Sequence, residues 1–103
     1  MTDETNPTTA DLQSCATRVA TTVDRPVDAV TVGYAHYTNT GADDGPTGWY
    51  WTITVSMRRA RSTRGYSSDI TGVGDNGSLA GLNQAADEVI ENVRRGREAG
   101  KLI

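Results

Sequence analysis

From Thr9 to Asp24 the apolar residues Leu12, Cys15, Ala16, Val19, Ala20 and Val23 recur at intervals of three or four, the spacing of one helix face. Thr8 or Thr9 can cap the start of this helix, and Asp24-Arg25-Pro26 ends it, because a residue before proline is pushed out of the helical region. The pattern then changes to alternation. Val30, Val32 and Tyr34 interleave with Thr31, Gly33 and Ala35, which predicts a strand over Val27–Thr38. A Gly/Asp/Pro loop at Thr40–Gly48 leads to the strongest signal in the chain. There Trp49, Trp51, Ile53, Val55 and Met57 fall on one side, and Tyr50, Thr52, Thr54, Ser56 and Arg58 on the other. Arg59–Arg64 reads as a turn and Gly65–Thr71 as a weaker third strand, with Gly72, Gly74 and Asp75-Asn76-Gly77 expected to end it.

Helical periodicity returns after Ser78, a suitable cap, with Leu79, Leu82, Ala85, Ala86, Val89, Ile90 and Val93 on one face. Gly96 is the expected stop, preceded by Arg94 and Arg95, which suit the negative end of the helix dipole. The flanks, Met1–Pro7 and Arg97–Ile103, carry no periodicity, so tails are expected there and a single domain over 8–96. Helix, three strands and helix with short connections predict an α+β fold of order α-β-β-β-α. It is a two-layer sandwich in which both helices cover one face of a three-stranded antiparallel sheet. Trp51, Ile53 and Val55 should then pack beneath Leu12, Val19, Leu82, Ala86 and Val89.

Composition narrows the function classes. The chain has 103 residues, 36% of them hydrophobic, with two Trp, four Tyr and no Phe, enough for one lean core. No apolar run is long enough to span a membrane, and Met1-Thr2-Asp3-Glu4 is the reverse of a basic leader, so a cytoplasmic location without membrane contact is expected. A single cysteine, Cys15, allows no internal disulfide, and one histidine, His36, allows no zinc cluster of the usual spacing. His36 alternates with Tyr34 and Tyr37 in a strand, and Cys15 sits on an apolar helix stripe, so neither reads as a nucleophile or base. Asp43-Asp44-Gly45 and Asp75-Asn76-Gly77 lack the spaced acids of a calcium loop and read as turns. No enzyme activity, cofactor or metal is expected.

Charge distribution says more than the net value of −3. Basic residues concentrate at Arg58, Arg59, Arg61 and Arg64 and again at Arg94, Arg95, Arg97 and Lys101, whereas acids dominate elsewhere. Four arginines within seven residues exceed what solubility requires, although such groups often pair with acids of their own chain.

The element order, Gly45-Pro46-Thr47-Gly48 before Trp49, and Gly72, Gly74, Ser78, Ala85 and Ala86 at the approach to the second helix resemble the double-stranded-RNA-binding domain. That resemblance covers residues 9–95 and implies the same two-layer fold. In the family a lysine-rich first turn of the second helix grips phosphate, a loop histidine enters one minor groove and a glutamate of the first helix enters another. At the corresponding places this chain has Leu79, Ala80 and Asn83, then Gly48 beside Asp43 and Asp44, and Ser14. Binding of double-stranded RNA in the family's manner is therefore not expected. The Ala, Thr, Gly, Asp and Arg usage is similar to that of small accessory proteins of bacteriophages of high-GC bacteria, which implies a host-directed or regulatory role.

Two readings follow. The first is a non-catalytic interaction module that meets a protein partner, or a second copy of itself, through the open sheet face carrying Tyr50, Thr52, Thr54, Ser56 and Arg58. The alternative is nucleic-acid binding by Arg58, Arg59, Arg61 and Arg64.

Overall fold

The computed structural model describes residues 6–37, 48–61 and 64–103. Helix α1 spans Thr9–Val23 and opens with a reciprocal cap in which Asp11 N–H donates to Thr8 Oγ1 and Thr8 N–H to the Asp11 carboxylate. It ends at Asp24, whose left-handed φ of 59° turns the chain toward Pro26. A short 3-10 turn, Val27–Ala29, precedes strand β1 at Val30–Tyr37, so the first strand starts three residues later than its Val/Thr content implies. Strands β2, Gly48–Arg58, and β3, Ser67–Gly74, and helix α2, Leu79–Glu98, complete the order α-β-β-β-α. The sheet is antiparallel throughout, in the order β1-β2-β3. This is the expected α+β sandwich.

Register explains the core. Val32 and Gly72 flank Ile53, and Val30 and Ile70 flank Val55, so these apolar residues of the three strands share one face of the sheet. Trp51, Ile53, Val55 and Met57 are buried there against Val19 and Val23 of α1 and Leu82, Ala86, Val89 and Val93 of α2. Leu12 packs at the margin, partly buried. Burial of these side chains, each contributing about 1.5–3 kcal/mol, is the main force holding the two layers together.

Three further boundaries differ from the sequence expectation, each for a packing reason. Gly72 and Gly74 do not end β3 but belong to it. A Cβ on Gly74 would stand 1.8 Å from the Gly81 carbonyl oxygen, and one on Gly72 would stand 2.3 Å from that of Ala85, so both glycines admit the α2 backbone. Gly96 does not stop α2. It lies inside the helix, where the Leu102 side chain fills the space a Cβ would need. The segment after Arg97 is not a frayed tail: Gly100, with φ of 73°, reverses the chain and Leu102 is buried at 7% exposure.

That return matters for the surface. Ile103 N–H donates to the Arg58 carbonyl and Ala60 N–H to that of Lys101, making an antiparallel bridge between Arg59 and Leu102. Arg59 N–H donates to Tyr66 on the other side, so the C-terminal segment occupies the edge of β2 that β1 leaves after Val30. Thr38, the Gly45-Pro46-Thr47 approach and the Asp43-Asp44 pair lie outside the described residues.

Candidate functional site

The bridge between Arg59 and Leu102 brings sequence-distant cations to one end of the sheet. Ten basic residues are present, and Arg18, Arg94 and Arg95 are held by acids: Arg18 by Asp87 at 2.9 Å, Arg94 by Glu91 and Glu98, and Arg95 by Glu91 at 3.3 Å. Hydrogen bonding from Arg94 holds the Glu91 carboxyl down to about 2 and pushes the Arg94 guanidinium pKa up. The helical basic run noted in the sequence is thus split, its first half neutralised within α2.

The other seven, Arg25, Arg58, Arg59, Arg61, Arg64, Arg97 and Lys101, make no ion pair with Asp or Glu among the described residues. All of them lie where β2 turns toward β3 or on the segments packed around that end. Arg59 Nε donates to Ser68 Oγ at 2.7 Å, and Arg64 Nη1 to the Tyr66 hydroxyl at 3.2 Å. Arg61 takes a left-handed φ of 62° and is exposed, as are Arg58, Arg59 and Arg64. Arg25 and Arg97 are half-buried and pinned to main-chain oxygens, Arg25 to the Ser56 carbonyl and Arg97 to the Val23 carbonyl and to an oxygen of the final residue, Ile103.

The nearby acids, Asp24 and Asp69, accept no ion pair from these cations. Two hollows open beside the C-terminal segment. Asp24, Arg25, Arg58, Arg97 and Ile103 line one, while Arg59, Ser68, Gly96 and Lys101 are among the residues around the other.

Sequence reasoning found Arg58, Arg59, Arg61 and Arg64 and missed that Arg25 joins them. It also grouped Arg97 and Lys101 with the wrong neighbours. The usable signal was Gly100 followed by an apolar Leu102, a turn and an anchor after a helix.

The residues expected on the open face are brought together there. Tyr50 stands opposite Ala35, Thr52 between Gly33 and Val73, Thr54 between Thr31 and Thr71, Ser56 opposite Asp69 and Arg58 opposite Ser67. All but Arg58 are half-buried, and Thr54 Oγ1 lies 2.9 Å from Thr71 Oγ1. Asp69, Thr71 and Val73 extend this face onto β3, a continuation missed because Gly72 and Gly74 masked the alternation. Tyr37 pairs with Gly48 through the main chain.

The surfaces corresponding to an RNA grip carry little charge: Ser14, Ala80 and Asn83 are exposed and Leu79 is half-buried against the core. Asp75 and Asn76 are spent on the turn, Asp75 through Gln84 and Asn76 through Ser78, which caps α2. Among the described residues no group of acids, histidine and cysteine is placed to hold a metal. Cys15 is buried with Sγ 3.9 Å from the Leu82 carbonyl, and burial pushes its thiol pKa up, which keeps it in the unreactive thiol form. Nor is any described helix long and apolar enough to cross a membrane.

No family model matches the chain, and no curated protein or solved structure does either. Its class therefore rests on the fold and this site: an α+β sandwich with a cationic end.

Proposed function

We propose that the protein is a non-catalytic binding module whose basic end docks on a polyanion, in the first instance the phosphate backbone of nucleic acid. The observation that carries this reading is the meeting, at one end of a chain whose net charge is −3, of seven cations that make no ion pair with Asp or Glu among the described residues. Like charges gathered this way repel one another, and an incoming anion relieves the repulsion. Side chains that reach only phosphate bind without regard to sequence.

The scaffold resembles the double-stranded-RNA-binding domain, but the proposed contact is the opposite of that family's mode. It uses the β2–β3 turn and the C-terminal return in place of the first turn of α2. If about four of the cations each neutralise one phosphate of a duplex, log K falls with log salt at a slope near −3.6. Affinity then drops roughly a hundredfold between 50 and 200 mM salt.

The second reading, contact with a protein partner or a second copy, is favoured by the mostly uncharged face around Tyr50, Thr52, Thr54 and Ser56, on which no helix packs among the described residues. Three strands about 4.8 Å apart and eight residues long give that face roughly 400 Å². A stable complex needs about 800 Å² per partner, so the face alone supports a weak contact.

Fluorescence anisotropy of a labelled duplex and a labelled single strand across a salt series tests the first reading. Replacing Arg59 and Arg61 by Gln should flatten the salt slope by about two units. Tyr50→Ala and Thr54→Lys, on the open face, should leave binding unchanged. A salt-independent signal, or one lost with the open-face changes and kept without the arginines, would transfer the function to the sheet.

A further inference from the structure

The two outer edges of the sheet differ. On β3 the Asn92 side chain of α2 donates to the Thr71 carbonyl at 3.0 Å, and Asp69 sets a charge on the strand. Both features discourage a further strand. Strand β1 has neither, for its eight residues include no Asp, Glu, Lys, Arg or Pro. The direction of its main-chain groups follows from bonds on β2. Ile103 N–H reaches the Arg58 carbonyl on the side of β2 that faces β1, while Arg59 N–H donates to Tyr66 on the β3 side. Direction alternates along a strand, so Tyr50, Thr52 and Thr54 also turn toward β1 and bond Ala35, Gly33 and Thr31. The outward Thr71 carbonyl, opposite Thr54, agrees. Val32, Tyr34 and His36 therefore turn their N–H and C=O groups away from β2, and no hydrogen bond from a described residue reaches those groups.

We infer that this edge pairs with the same strand of a second copy, antiparallel about a two-fold axis at Gly33, to make one continuous sheet across both. The inference is independent of the basic end. Side chains directly opposite one another leave the same face, so even positions can meet only even ones. Centring on Gly33 sets Val32 opposite Tyr34 of the second copy, an aromatic and β-branched pair that exchanges both N–H···O bonds, and Thr31 opposite Ala35. The two Gly33 residues then meet at the close spacing of about 4.5 Å, where neither has a side chain to obstruct. Centring on Tyr34 would oppose two rings that each already stack on Trp49 at 4.7 Å and lean on Trp51 at 4.3 Å. Centring on Val32 would leave His36 unpaired.

A second copy offers a strand that is already ordered, so pairing carries no cost of folding a foreign segment. Charge does not oppose it. In the β1–β2 register Arg58 lies level with Val27, about 20 Å from Gly33, so the two basic ends stand roughly 40 Å apart against a screening length of about 8 Å. An edge about 27 Å long and roughly 10 Å deep buries on the order of 270 Å² per copy, well below the roughly 800 Å² of a stable complex. Association on the order of 100 μM is therefore expected.

Sedimentation of the full chain from about tenfold below to tenfold above that concentration tests the pairing, with amide hydrogen exchange at both limits. The mass should rise toward that of a dimer. Exchange at Val32 and Tyr34 should slow about fourfold as the dimer fills, while Gly33 and Ala35, bonded to β2, should be slow at both limits. Thr31→Lys with Ala35→Lys sets Lys opposite Lys on both sides of the axis and should weaken association about tenfold, whereas Thr31→Lys with Ala35→Glu should restore it. Within one chain these positions are about 13 Å apart, so neither combination acts through the fold of the monomer. A chain still monomeric at the upper limit overturns the pairing and leaves the edge to a strand of another protein. A dimer whose Val32 and Tyr34 amides stay unprotected also overturns it and moves self-association to the open face around Thr52. Equal association of the two charged combinations overturns the axis at Gly33.

Discussion

Gly74→Ala adds one methyl group where β3 and α2 come closest. The new Cβ would lie 1.8 Å from the Gly81 carbonyl oxygen and 2.6 Å from its carbon, against roughly 3.5 Å for comfortable contact. The obstruction is main chain on both sides, so no rotamer change relieves it. Helix α2 must lift by on the order of 1.5 Å, and a gap of 0.5–1 Å already forfeits about a quarter to a half of the dispersion energy along the opened contact. Leu82, Ala85 and Ala86, all fully buried, would lose packing together.

Overpacking costs about 1–3 kcal/mol, and a rigid obstacle places this site at the top of that range. The usual gain from replacing glycine by alanine, about 0.4–1 kcal/mol, is too small to offset it. A loss of about 3 kcal/mol lowers Tm by roughly 12–24 °C for a domain of this size. Urea unfolding followed by Trp fluorescence reads the change, since Trp51 is buried in the core.

Gly65→Ala is the internal control. With φ of 70° and no atom within 4 Å of its Cβ, it should cost only the left-handed strain of about 1–2 kcal/mol. A Gly74→Ala protein as stable as the parent, or less affected than Gly65→Ala, would refute the close helix–strand contact.

Two further outcomes follow from the packing and the charges. Ile53→Ala should lose about 2–5 kcal/mol in the same urea assay, because Ile53 is fully buried, whereas Thr52→Ala on the opposite face should stay within about 1 kcal/mol; equal effects would mean that the sheet buries the other face. Glu91 has a folded pKa lowered to about 2, so its bond to Arg94 favours the folded state above the ordinary carboxylate range and is lost as pH falls through about 2. The Tm difference between the parent and Glu91→Gln should accordingly be present at pH 6 and shrink as pH falls from about 4.5 toward 2, and a difference that grows on acidification would contradict the pair.

Periodicity made the core legible because burial imposes it locally. Trp51, Ile53 and Val55 alternate, and Val19 or Val89 recurs with the helix turn, so each signal is contained within its own element. Gly72, Gly74 and Gly96 misread for the converse reason. A glycine in sequence looks the same whether it breaks an element or makes room for a neighbour, and the neighbours here, Gly81, Ala85 and Leu102, are between six and thirteen positions away. The open face was readable on β2 and lost on β3 for this cause. Electrostatic grouping was least legible. Arg94, Arg95, Arg97 and Lys101 look like one run, but Glu91 and Glu98 claim the first two, Arg97 turns to Val23 and Ile103, and the reversal at Gly100 carries Lys101 to Ala60.

A cationic end on an acidic molecule also limits how the protein can bind. Of the carboxylates of α2, Asp87 and Glu91 are neutralised by Arg18, Arg94 and Arg95 while Glu88 stays exposed, so the helix layer offers a polyanion no excess of positive charge. Docking is thereby confined to the end of the sheet, which can neutralise only a few phosphates, and a contact of that size is weak and strongly salt-dependent. Arg25 and Arg97 are half-buried and already bonded to Ser56, Val23 and Ile103, so an incoming strand first meets the exposed arginines. The exposed side chains of Arg61 and Arg64 are suited to attraction without discrimination. Replacing any one of the exposed arginines of the turn by Gln should therefore flatten the salt slope by about 0.9 whatever the strand, and a slope left unchanged would contradict docking at this end.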